Sequence, residues 1–278
     1  MTGKGISHGA ITVINAMPVG IGATIGVELE TRAEFTPGGD KRIVTIVNDP
    51  GEDTKMAEYC VEEAYKVMKK EEPAGWTLTI DSQIPVSRGL KSSSSACNAI
   101  LHAVFDEYKH KIDTVELVKH GVKCAKKAKV TVTGSFDDAC SCELGGLVIT
   151  NNTENKLLVH KDIETYDVVI YVPERKIRKN TLDVENLRAL DNQICAAIGI
   201  ADGYPLNAMT MNGRIISEAS GVDNSVAEKA LQDGALGAGM SGSGPAIAMV
   251  FNEGRGQAYI DRSGLKNTIL TKTRGIQS

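Results

Sequence analysis

The chain has 278 residues, 42% of them hydrophobic and 24% charged, with a formal charge of −4 at pH 7. That balance is a folded globular protein's and excludes a disordered chain, while the mild acidity excludes a dedicated binder of nucleic acid or of anionic membrane. No apolar run approaches the roughly 18 residues of a membrane span, and the opening "MTGKGISHGA" lacks the apolar core of a secretory signal, so the expected location is cytoplasmic.

In chain order, β-branched runs and the glycines at 20, 22 and 26 predict strands over 10–15 and 24–35 joined by a glycine-rich loop. Met56, Cys60, Val61, Ala64, Val67 and Met68 fall on one helical stripe, with Asp53 or Thr54 as its N-cap. "WTLTIDSQI" alternates and reads as a half-buried strand with Trp76, Leu78 and Ile80 inward. A helix using Ala96, Ala99, Ile100, Ala103 and Val104 follows a run of serines; another is expected over 113–128, then a strand over 129–133. The polar tract "NNTENK" at 151–156 is the expected boundary between a domain over 1–155 and one over 156–278. Beyond it come the strand "DVVIYVP", helices around 183–201, 205–218 and 223–235, a glycine-rich turn and a strand over 268–274. This half predicts an α+β layer with its helices on one face. The six cysteines form no C-x-x-C pair and read as buried reduced thiols, and the five histidines form no ligand cluster.

Three stretches carry chemistry. In "PVSRGLKSSSS" (85–95) a Gly-Leu turn enters the serine helix. The first amides of a helix lack intrahelical acceptors, and the peptide dipoles add positive potential there, so small residues at that mouth admit a phosphate chain. A serine-rich cap without a ligand would look the same; Lys91 argues for an anion, since a cation beside a helix N-terminus is otherwise unfavourable. In "GAGMSGSGPA" (237–246) closely spaced glycines and serines suit either a structural turn or an anion-binding nest. In "GSFDDAC", Asp137 and Asp138 precede cysteines and an apolar strand, so at least one acid is expected to be buried, where it needs a cation, a metal or a substrate proton. No P-loop, no dinucleotide-binding G-x-G-x-x-G and no G-x-S-x-G elbow occurs.

Together these stretches resemble the GHMP small-molecule kinases. "PVSRGLKSSSSA" is similar to their second motif, P-x-x-x-G-L-G-S-S-A, "GAGMSGSGPA" to their C-terminal glycine motif, and "GSFDDACSCELGG" to the segment bearing their catalytic aspartate. With "GAITVINAMPVGIGATIGVEL" and "RGLKSSS", the set resembles the archaeal-type shikimate kinases. The resemblance implies a two-domain α+β fold with the active site in the interdomain cleft. It implies an enzyme that uses ATP and Mg2+ to phosphorylate the 3-hydroxyl of shikimate, in aromatic amino acid biosynthesis, with no nucleic acid or membrane partner. Homoserine or mevalonate kinase is the alternative, and a catalytically silent relative a further one.

Carried over by position, Pro85, Ser87, Arg88, Gly89, Leu90, Lys91, Ser92, Ser93, Ser94 and Ser95 line the ATP phosphates, with Ser93 on magnesium. Gly239, Ser241, Gly242, Ser243 and Gly244 form the third motif. Asp138, seven residues before Gly145, matches the catalytic aspartate, and Asp137 is the alternative. Arg178 is assigned to the substrate carboxylate, with Arg88 behind it, because a guanidinium fixes a carboxylate bidentately. Two positions depart from the pattern: Lys91 replaces a glycine, and Lys127 stands where several relatives place a metal-binding glutamate, which makes Asp137 a candidate stand-in.

Overall fold

The computed structural model describes residues 1–276 except Ser87, 132–133 and 175–189. Strands β1 (Gly3–Ile14) and β2 (Ile21–Pro37) form a long antiparallel hairpin; β1 starts well before its expected bound, and β2 passes its bounds at both ends. On the far side of β2, its second half pairs with β4 (Trp76–Ser82) and its first half with β5 (Leu147–Asn151). β3 (Arg42–Ile46) lies parallel to β4, the crossover being helix α1 (Lys55–Met68), and β6 (Lys156–Lys161) pairs with β5 at the other edge. The tract 151–156, expected to separate two domains, is therefore the turn of a hairpin, and the first sheet continues to Lys161.

Helices α1, α2 (Ser92–Glu107) and α3 (Thr114–Lys127) cover one face of this sheet around Phe35, Trp76, Leu78, Ile100 and Val104. The α1 stripe read from sequence is the buried one at Cys60, Val61 and Ala64. Asp113 caps α3, its carboxylate accepting from the amides of Val115 and Glu116. Where a strand was expected over 129–133, Lys129 turns left-handed after α3 (φ 57°), and Val132 and Thr133 lie outside the described residues. Asp137 and Asp138 sit in a helix, α4 (Phe136–Leu144).

The second lobe is an antiparallel sheet of order β10 (Thr268–Lys272), β7 (Tyr166–Tyr171), β9 (Ile247–Asn252), β8 (Gly237–Met240). Contrary to the one-faced expectation, helices cover both sides. Val168 and Ile170 face α5 (Asp191–Ala201), α6 (Pro205–Ser220) and the first lobe, whereas Val169 faces α7 (Ser225–Gln232) and α8 (Gly256–Ser263). The unbroken apolar run "VVIY" carries that signature, because a strand buried on both sides does not alternate. One apolar cluster joins Ile11, Val13 and Ile25 of the first lobe to Ile194, Met209 and Val250 of the second. The cleft between the lobes is thus set by a shared core. Of the cysteines, Cys60, Cys97, Cys124, Cys140 and Cys142 are buried, but Cys195 is exposed. No helix among the described residues is long and apolar enough to cross a membrane.

Candidate active site

Two turns from different lobes meet in the cleft. The first runs through Gly89 (φ 82°) and Leu90, whose side chain is anchored in the shared core, to Lys91 at the N-cap of α2. The second is Ser241–Gly244, after β8. The Ser241 hydroxyl donates to the Gly89 carbonyl (2.9 Å), and the Ala246 amide donates to the Arg88 carbonyl (3.1 Å). A Cβ at Gly89 would stand 2.0 Å from the Ser241 carbonyl oxygen, so the two turns approach as closely as only glycine allows. Gly239 lies within β8, just before this turn.

Lys91 adopts a left-handed backbone of the kind that favours glycine (φ 69°, ψ 25°). Its ammonium, however, is not spent on the helix mouth. It bonds Asp138 Oδ1 at 2.8 Å and the Thr12 hydroxyl at 2.7 Å, and all three residues are buried. Thr12 also accepts from the Gly242 amide (2.7 Å), and Asn15 Nδ2 donates to the Gly242 carbonyl (2.9 Å). The β1–β2 hairpin therefore ties both turns to the acid. The mouth of α2 is left with no side-chain cap and no acid in its first turn, with Ser92 and Ser93 half exposed and Ser94 and Ser95 turned inward.

Asp137 and Asp138 are both buried in the first turn of α4. Asn152 holds Asp137 twice, donating from Nδ2 to Oδ1 (2.7 Å) and accepting the Asp137 amide at Oδ1 (3.0 Å). The other carboxylate oxygen lies against Gly22, where a Cβ would stand 2.2 Å away. Burial first, and the neighbouring charge of Asp138 second, push the Asp137 carboxyl up to about 6. A cavity opens on these acids and on Lys91, lined also by Thr12, Asn15, Met17, Thr131, Ser135 and Ser243. Among the described residues no cluster of three or more His, Cys, Asp or Glu is able to hold a metal ion. Lys127 points away from the cavity, with its ammonium on Glu62 (2.7 Å) and over the Tyr59 ring.

The structure thus brings Gly89, Lys91, Asp137, Asp138, Ser241, Gly242 and Ser243 together. Pro85 and Arg88 line a neighbouring open pocket with Pro173 and Asn267, where an Arg88 guanidinium nitrogen donates to the Pro173 carbonyl. Ser87 and Arg178 lie outside the described residues. Thr12, Asn15 and Asn152 were not foreseen: each is a small polar residue in a strand or a turn, separated by 79 or more residues from Lys91 or Gly242 in the first two cases.

With this geometry in view, comparison with known proteins is specific. The GHMP kinases N terminal domain matches residues 58–146, and the GHMP kinases C terminal domain matches 207–262. The chain belongs to the GHMP kinases and is an ATP-dependent kinase of a small molecule. It is 37% identical to a shikimate kinase of Pyrococcus abyssi over 91% of this chain and 93% of that one, and 38% identical to a shikimate kinase of Methanococcoides burtonii over 90% and 88%. Its fold is that of the mevalonate kinase of Methanococcus jannaschii, with a TM-score of 0.81 over 100% of this chain and 98% of that one at 17% identity.

Proposed function

We propose that the protein transfers the γ-phosphoryl group of ATP to the 3-hydroxyl of shikimate, giving shikimate 3-phosphate and ADP. The observation that carries the chemistry is the buried Lys91–Asp138 pair facing the cleft cavity; the likeness to shikimate kinases over nine-tenths of the chain supports the acceptor. Phosphoryl transfer asks a protein for alignment and charge neutralisation more than for covalent help. The uncapped amides of α2 and the turn Ser241–Gly244 receive the phosphates. Lys91 joins the two halves of the site, since its ammonium sits between the phosphate loop and the acid. Asp138 accepts the proton of the attacking hydroxyl as the O–P bond forms. Asp137 is held by Asn152.

The half-exposed Ser93 hydroxyl at the mouth of α2 would hold magnesium, which would supply charge neutralisation on the ATP phosphates. Arg178 is assigned to the shikimate carboxylate. The test is ADP release with magnesium and ATP over shikimate, homoserine and mevalonate. Turnover is expected with shikimate; turnover with homoserine or mevalonate alone would overturn the acceptor assignment. Arg178→Ala should raise KM for shikimate far more than for ATP.

A further inference from the structure

The segment after β10 leaves the second sheet and returns to the first lobe. Thr273 bridges to Val27, the Arg274 amide donates to the Gly26 carbonyl (2.8 Å), and the Gly146 amide donates to the Arg274 carbonyl (2.7 Å). Its guanidinium is buried and reaches the last turn of α4, where Nη2 donates to the carbonyls of Ser141 (3.3 Å), Cys142 (2.9 Å) and Glu143 (3.0 Å). The Ser141 carbonyl already accepts from the Gly145 amide (3.1 Å) and the Cys142 carbonyl from the Ser7 hydroxyl (3.3 Å), so the guanidinium adds a shared donor across the last turn, where a cation also meets the negative pole of the helix. Nε and Nη1 have no hydrogen-bond partner, and no carboxylate forms an ion pair with Arg274 among the described residues. Burying a guanidinium in this way is costly, and burial lowers its pKa. A neutral cap would close a helix at less cost. The opposite end of this short helix carries Asp137 and Asp138.

We propose that Arg274 is a positioning residue for phosphoryl transfer. By holding three carbonyls of α4 from a strand extension of the other lobe, it fixes the helix along its axis and so fixes where the Asp138 carboxylate stands relative to Lys91 and the cavity. It touches neither substrate, and the inference rests on the assignment of Asp138 above.

The test compares Arg274→Met, which keeps length but no donor, with Arg274→Lys, which keeps the charge, both in the full chain. Arg274→Met should lower kcat by about tenfold to a hundredfold, the scale of a misplacement near 1 Å. KM for ATP and shikimate should stay within about threefold, since binding groups are untouched. Arg274→Lys should recover much of kcat, and hydrogen exchange should quicken in 136–144 but not in α3 for the methionine variant. A folded Arg274→Met enzyme with kcat within about twofold of wild type would overturn the proposal; so would a lysine variant no better than the methionine one. If Arg274→Met does not fold, Arg274→Gln, which keeps a neutral amide donor without the charge, takes its place: a kcat loss at steady KM with faster exchange in 136–144 supports positioning, and wild-type kcat with wild-type exchange refutes it. Asp138→Asn measured in parallel keeps the two readings apart. Wild-type kcat in that variant removes the assignment of the acid, whereas exchange in α4 still reports on Arg274.

Discussion

A non-glycine residue in the left-handed region costs on the order of 1–3 kcal/mol, and Lys91 stays there because its ammonium has two buried partners. Lys91→Met leaves the Asp138 carboxylate buried without a cation, which should cost about 3–5 kcal/mol in denaturant unfolding. The double variant Lys91→Met/Asp138→Asn removes both charges and should regain much of that loss; no regain would mean that packing, not charge, dominates at Lys91. Asp138→Asn alone keeps an oxygen for Lys91 while removing the base. We expect kcat to fall by about two to four orders of magnitude with nucleotide affinity largely kept, as titration with ATP would check. Asp137 behaves differently. Folded, it holds its proton up to about pH 6, against an ordinary value of 3.8. The folded state therefore binds more protons than the unfolded one between those values, and this group's contribution to stability declines as pH rises through that window. By neutral pH the cost approaches about 3 kcal/mol. Asp137→Asn should match wild type in thermal stability near pH 4, gain on it as pH rises to about 6, and keep a level lead above that; a constant gap from pH 4 upward would contradict the shift.

The two glycine turns are built as one element although the sequence separates them by 152 residues. Gly89→Ala should therefore act first on the fold. The left-handed φ and the carbonyl of Ser241 leave no room for a methyl, so a loss of more than about 1 kcal/mol and a raised KM for ATP should appear together. Ser93→Ala touches neither turn and should weaken use of magnesium-ATP at wild-type stability. The serine helix and the glycine turns were legible because each advertises a local requirement, a small residue or an open helix mouth. Helices α1 and α3 were legible from periodicity. α4 was not: "FDDACSCEL" is short and poor in strong helix formers, so it is helical because tertiary burial holds it so. The same limit hid Thr12, Asn15 and Asn152, whose roles exist only once β1, the α2 mouth and the β5–β6 turn are brought together. The hairpin at 151–156 looked like a linker because turns and linkers share a composition.

At the scale of the whole molecule, the apolar cluster shared by both lobes makes separate unfolding of either one unfavourable. Fluorescence of Trp76, the single tryptophan and buried in the first lobe, should change together with far-UV circular dichroism along a denaturant series. Two resolved transitions would show that the lobes fold independently. The return of Arg274 to α4 also has a consequence in time. At least 131 residues separate the arginine from the carbonyls it holds. At a synthesis rate of about 5–20 residues per second, the acid-bearing helix is synthesised roughly 7 to 26 s before its arginine. During that interval the nascent chain already contains its glycine–serine loop and both acids, yet lacks the Ser241 turn and the brace on α4. A growing chain thus passes through synthesis with its phosphate-transfer machinery unassembled, and the kinase is armed only as its last strands arrive.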